Sequence, residues 1–224
     1  LPLTLLRLTA EHRWVVLEMG MSARGEIARL TEIAEPFVGI VTNVGPAHLE
    51  TLHNIEGVAR AKGELFAGMK AGGIAILNAD DERVARLPVA NGVRRVFFGL
   101  DPSAEVRAEQ VTTTRDGIRF ELYLGEKRYP VRMEVAGRHN VQNALAAAAA
   151  ANALEVPGEL IAQGLEDFRS SPGRMELVEI ENDILILEDS YNANPLSVRA
   201  ALATLDELGG EGRRVAVLGD MLEL

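Results

Sequence analysis

Apolar residues in the first hundred positions fall into short continuous runs. Trp14–Met19, Val38–Val44, Ile74–Leu77 and Arg95–Phe98 are such runs, each bounded by turn residues. A short apolar run of this kind predicts a strand buried on both faces of a parallel sheet. Helix signals lie between the runs. Ser22 predicts the N-cap of a helix to about Ala34, with Glu26 in its first turn and Pro36 stopping it. Asn54 predicts the cap of a second helix, Ile55 to Met69, closed at Gly72-Gly73. Asn78-Ala79-Asp80-Asp81 predicts a turn and cap before a short helix to about Leu87. Strands alternating with helices imply a parallel sheet with right-handed crossovers.

The pattern then changes to alternation. Residues 104–136 carry three alternating runs, with a hairpin signal at Asp116-Gly117 and a weaker one at Gly125-Glu126. These predict an antiparallel meander appended to the parallel sheet. An Ala-rich helix follows, Val141 to about Ala153, and Pro157 predicts the first position of another, to about Phe168. Ser170-Ser171-Pro172-Gly173 marks a break. Beyond it come a hairpin (Met175–Ile180, turn Glu181-Asn182-Asp183, Ile184–Glu188), a polar loop, a helix from Pro195 to about Leu208 and a strand Val215–Leu218. The expected fold class is therefore α/β: a mostly parallel sheet flanked by helices with an antiparallel meander, plus the start of a second Rossmann-like domain. The expected domains are 1–172 and 173–224.

Composition narrows the function. The net charge of −10 and the absence of any long Lys/Arg run argue against a nucleic-acid surface. The chain has no cysteine, which removes disulfides and thiolate chemistry and fits a reducing cytoplasm. No apolar stretch is long enough to span a membrane. The first residues, LPLTLLRLT, have no basic region or cleavage site of a signal peptide. The chain opens on Leu at the edge of an element, as a fragment of a longer protein would.

Ligands of open α/β sheets lie beyond the carboxyl ends of the strands. Phe37 to Lys62 is the stretch with most chemistry there: Asn43, His48 and Glu50 follow a strand, and Lys62 rides the next helix. Glu18 ends the preceding run, so adjacent strands would bring Glu18 and His48 to one crevice. A carboxylate and an imidazole there can hold a divalent metal; each alone serves equally as a cap or a solvated charge. Lys62 is one of three lysines in a chain whose other basic residues are arginines, and only lysine offers a titratable amine. Asn140 and Asn143 can hydrogen-bond a purine edge, or Asn140 can simply cap the Ala-rich helix. Asp189 can take a ribose diol, Tyr191 can stack on a base, and Arg174 can meet a phosphate or ribose oxygen. No G-x-x-x-x-G-K-[ST] phosphate loop and no G-x-G-x-x-G occurs in the chain.

Taken in order, LPLTLLRL, VVLEMGMSARGEIARL, VGIVTNVGPAHLE, ARAKGELF, GRHNVQNALAA, SPGRMEL, EDSYNANPLSVRAAL and VAVLGDMLEL resemble the Mur ligase family along the whole chain. The DSYNANP and EMG forms resemble its D-alanyl-D-alanine-adding branch. The resemblance implies an ATP- and Mg2+-dependent ligase of peptidoglycan synthesis, joining D-Ala-D-Ala to UDP-N-acetylmuramoyl-tripeptide through an acyl phosphate. By the family's pattern, Glu18 and His48 match metal ligands, and Lys62 matches a lysine that becomes carbamylated. Asn140 and Asn143 match the adenine side; Arg174 and Asp189 match a nucleotide clamp, with Tyr191 beside it. A cytoplasmic monomer is expected. The pattern also implies that an N-terminal domain, the phosphate loop and most of a C-terminal domain are not in this chain, which alone is expected to be inactive. Two other readings stay open: another Mur or folylpolyglutamate-synthetase-like ligase, and a non-catalytic nucleotide-binding module.

Overall fold

The structure is a computed structural model that describes residues 1–46, 48–181, 184–208 and 212–221. In chain order the helices are α1 (Pro2–Leu5), α2 (Glu26–Ala34), α3 (Leu49–Leu52), α4 (Ile55–Gly68), α5 (Glu82–Ala85), α6 (His139–Ala153), α7 (Gly158–Glu166) and α8 (Pro195–Leu208). The strands are β1 (Val38–Val41), β2 (Ile74–Asn78), β3 (Arg94–Gly99), β4 (Val106–Thr114), β5 (Gly117–Leu124), β6 (Lys127–Met133), β7 (Glu176–Ile180) and β8 (Ile184–Glu188).

Six strands form one sheet in sequence order, β1 to β6, and β7 pairs with β8 in a separate hairpin. Strands β1 to β4 run parallel, while β4, β5 and β6 are antiparallel. The link from β3 to β4 is too short for a helical crossover. It works because the two strands overlap only at Phe98↔Val106 and Gly99↔Arg107, so β4 starts where β3 ends.

Every residue of β2 is buried. Its odd and even positions serve opposite layers. Ile74 and Ile76 join the core beneath α6 and α7, with Phe98, Leu122, Val141 and Leu145. Ala75 and Leu77 join the core under α4, with Val41, Val58 and Phe66. The alanines of α6 that face the sheet, Ala144, Ala148 and Ala149, are buried and small enough for the helix to lie close on it. In the meander, Ile118, Phe120 and Leu122 point inward by the two-residue period of a strand. On the outer face Arg107 lies 4.2 Å from the ring centre of Tyr123, its partner in register.

The parallel sheet, the meander and both hairpin turns at 115–116 and 125–126 agree with the sequence pattern. Of the turn expected at Glu181-Asn182-Asp183, Asn182 and Asp183 lie outside the described residues. Two expected strands are not formed. Trp14–Met19 makes no ladder among the described residues, and Val16 is 95% exposed. Val215–Leu218 is likewise unpaired, with Val217 92% exposed. Apolar character shows that a segment seeks burial, but a strand also needs a neighbouring backbone to pair with. The expected cap at Ser22 is also displaced. Helix α2 starts at Glu26 from Gly25, whose φ of +89° suits glycine. Glu26 turns back instead and accepts the Ser22 and Ala23 N–H groups at 2.6 and 3.2 Å.

Candidate functional site

The backbone that leaves β1 is clamped at three consecutive residues. Asn78 Nδ2 donates to the Thr42 carbonyl at 2.7 Å. Lys62 Nζ donates to the Asn43 carbonyl at 2.8 Å. The Val44 N–H donates to Asp81 Oδ2 at 2.7 Å. Parallel pairing of Val41 with Leu77 brings the ends of β1 and β2 side by side, and α4 carries Lys62 back over them. Asp81 has a second duty: its Oδ1 caps α5, accepting from Arg83 N at 2.9 Å and Val84 N at 3.2 Å.

Lys62 is half-buried. Burial pushes its pKa below the usual 10.5, against the opposing pull of the Asp81 carboxylate. The result is an amine that loses its proton more readily than a surface lysine, at the carboxyl end of a parallel strand.

His48 is half-buried at the start of α3, with φ +54°. It lies within electrostatic reach of Glu26, whose carboxyl is held below its usual range first by the Ser22 and Ala23 N–H groups and then by His48. Thr51 donates to the Ser22 carbonyl, so α3 is fastened to the loop that precedes α2. Glu18 sits on the unpaired segment, exposed and without a hydrogen bond or ion pair among the described residues. Among the described residues no three His, Asp or Glu side chains gather to hold a metal.

A second group forms at the start of α6. Asn140 does not cap the helix; its Nδ2 donates back to the Ala136 carbonyl at 2.7 Å, and its Oδ1 accepts from Asn143 at 3.1 Å. Both asparagines border a groove of about 360 Å3 between α6 and α7, floored by residues such as Ala144, Ala148 and Leu165. Gln142 donates to Asp80 at 3.2 Å, and Asp80 also accepts the Leu100 and Asp101 N–H groups at 2.7 and 2.9 Å. This ties the helix to the ends of β2 and β3.

The third group belongs to the β7–β8 hairpin. Asp189 accepts the Met175 N–H at 3.2 Å. The Arg174 guanidinium lies 4.0 Å from the ring centre of Tyr191. Asn194 caps α8 through the Leu196 and Ser197 N–H groups, both at 3.0 Å. His139, next to Asn140, connects this group to the second. Its half-buried ring is held below the usual 6.5 by burial, while Asp189 pulls the other way.

The sequence pattern singled out Lys62, Asn140, Asn143, Arg174, Asp189 and Tyr191, which lie in these three groups. It read Asn78 to Asp81 as a turn and cap, and Asp81 does cap α5, but it missed the hold of Asn78 and Asp81 on the segment after β1. Their polar character at the end of a second parallel strand was the available signal.

Two family models match the chain: "Mur ligase middle domain" over residues 1–151 and "Mur ligase, glutamate ligase domain" over residues 173–224. The chain belongs to the Mur ligase family. Among relatives, the UDP-N-acetylmuramoyl-tripeptide–D-alanyl-D-alanine ligase of Escherichia coli K12 is 39% identical over all of this chain and 49% of its own length. The Bacillus subtilis protein of the same name is 35% identical over all of this chain and 48% of its own. Among Mur ligase structures, the Acinetobacter baumannii UDP-N-acetylmuramoylalanyl-D-glutamyl-2,6-diaminopimelate–D-alanyl-D-alanyl ligase superposes with a TM-score of 0.88 at 35% identity. That match covers 100% of this chain and 48% of the other. The chain spans about half the length of the curated relatives it matches.

Proposed function

We propose that this chain is part of an ATP-dependent ligase that joins D-Ala-D-Ala to UDP-N-acetylmuramoyl-tripeptide in peptidoglycan precursor synthesis. The observation that carries this reading is the 39% identity, along the whole chain, to a relative named for that reaction. It favours this branch over the other ligases and over a non-catalytic module. In the proposed reaction the tripeptide carboxylate attacks the γ-phosphorus of ATP, giving an acyl phosphate and ADP. The amine of D-Ala-D-Ala then attacks the acyl carbon, and the tetrahedral intermediate expels phosphate to leave an amide.

Lys62 is the residue this reading makes carbamylated: a neutral amine adds to CO2 and releases a proton, leaving a carboxylate-like group. Burial favours that neutral amine. Glu18, His48 and the modified Lys62 would hold Mg2+; the carboxylate and carbamate supply the oxygens this ion prefers. When bound, Mg2+ would neutralise phosphate charge. Asn140 and Asn143 take the adenine side, Asp189 the ribose hydroxyls, and Arg174 a ribose or phosphate oxygen, with Tyr191 beside it. A MurF ligase of Thermotoga maritima, 26% identical to this chain, has been solved in complex with ADP, which supports a nucleotide in this family. The domains are taken as 1–172 and 173–224, and the enzyme as a cytoplasmic monomer.

The test is ADP release by the full-length enzyme encoded by the natural reading frame, over a panel of amines. Release that requires both the nucleotide tripeptide and D-Ala-D-Ala supports the proposal. Release driven by a different amine, or by glutamate and a folate, overturns it. The 224-residue chain, which has no phosphate-loop motif, is expected to release no ADP alone.

A further inference from the structure

Behind the candidate site, along the outer face of α4, lies a cleft of about 470 Å3 whose lining includes arginine and glutamate side chains. Arg60 lines it, and Lys62 serves the opposite side of the same helix: two residues turn a helix by about 200°. The cleft holds three glutamates, and each is already engaged. Glu56 accepts Arg83 Nε at 2.9 Å. Glu82 pairs with Arg86. Glu64 accepts the Gly25 N–H at 2.9 and 3.0 Å and the Ala28 N–H at 3.2 Å. Arg24 and Arg60 remain. Both are exposed and line the cleft, and neither has a hydrogen bond or ion pair among the described residues. Arg24 and Arg60 have no carboxylate partner among the described residues, and with Arg83 and Arg86 the cleft's arginines outnumber its glutamates four to three, which leaves forked N–H donors there without an acceptor. Such donors match the oxygens of phosphate and carboxylate groups.

We propose that Arg24 and Arg60 form a binding site for a small dianion, a phosphate or a compact dicarboxylate, that bridges the loop of residues 20–25 to α4. Glu64 already ties Gly25, at the end of that loop, and Ala28 of α2 to the helix, and both arginines line the one cleft beside it. The occupant fastens the loop that follows Glu18 to the helix that carries Lys62. This makes the cleft a place from which an anion acts on the candidate site without entering it.

The experiment is isothermal titration of the full-length enzyme, saturated with a non-hydrolysable ATP analogue, with inorganic phosphate and separately with malonate. One equivalent of at least one anion binds the wild type. R24Q and R60Q each weaken it about tenfold or more, as loss of a charge-assisted pair does, while R213Q leaves it unchanged. Arg24 and Arg60 are exposed, so both variants keep the fold, checked by an unchanged melting profile. Binding of phosphate alone marks a tetrahedral oxyanion site, and binding of malonate alone marks a dicarboxylate site; each upholds the proposal. Binding of neither anion, or binding that survives R24Q and R60Q or falls equally in R213Q, overturns it.

Discussion

The clamp on the β1 loop makes its sharpest prediction at Asp81. Its two carboxylate oxygens do different work: Oδ1 caps α5 and Oδ2 accepts the Val44 N–H. In Asp81→Ala both are lost. Removing a helix N-cap costs about 0.5–2 kcal/mol. Val44 is buried, so leaving its N–H without a partner costs about 1–3 kcal/mol more. The sum is a loss of about 1.5–5 kcal/mol. Asp81→Asn has one acceptor oxygen and keeps one of the two functions, so its loss falls to roughly half. It also removes the charge that opposes the depression of the Lys62 pKa, so the amine titrates lower still. Urea unfolding followed by far-UV circular dichroism measures the first two values, and NMR titration of the Lys62 side chain measures the third. The reasoning is refuted if Asp81→Ala stays within about 0.5 kcal/mol of wild type, the range of an ordinary surface change, or if the Asn variant is as damaging as Ala.

Three further outcomes are expected. Gly57→Ala, which in an open helix would gain up to about 1 kcal/mol, here places a Cβ onto the Leu52 backbone carbonyl; a loss of about 2 kcal/mol is expected, and a stabilised variant contradicts the packing of α3 on α4. Burial holds His139 below 6.5, so on acidification the unfolded chain takes up its proton first. Stability falls as pH drops below 6.5 toward the folded value, and His139→Gln flattens that slope in unfolding curves taken from about pH 7.5 to 5. Lys62→Met removes a half-buried charge whose hydrogen bond goes to the carbonyl of an exposed residue, Asn43; it is expected to match or exceed wild-type stability at neutral pH, while ligase activity of the full-length enzyme is lost. In the wild type, the penalty for burying this charge is relieved as pH climbs from the folded value toward 10.5.

Those elements whose signals are local were legible in the sequence. Strand β2 is a continuous apolar run between turn residues, α4 is announced by Asn54, whose Oδ1 accepts the Gly57 N–H at 2.9 Å, and the meander turns sit on Asp116-Gly117 and Gly125-Glu126. Trp14–Met19 and Val215–Leu218 carried the same apolar signal but take no partner among the described residues, since pairing depends on a second backbone that a single run does not specify. The site divided in the same way. Lys62 and the residues after β1 stood out by type and position. The clamp by Asn78 and Asp81 depends on the register of Val41 against Leu77, a relation between segments far apart in sequence.

The central claim is a ligase that activates a carboxylate with ATP and passes it to D-Ala-D-Ala. Its most direct test uses the full-length enzyme and nucleotide tripeptide labelled with 18O in the acceptor carboxylate. The account predicts one labelled oxygen transferred to the released phosphate, together with a product heavier by one D-Ala-D-Ala residue pair. Unlabelled phosphate, or a product carrying a different amine, would contradict it.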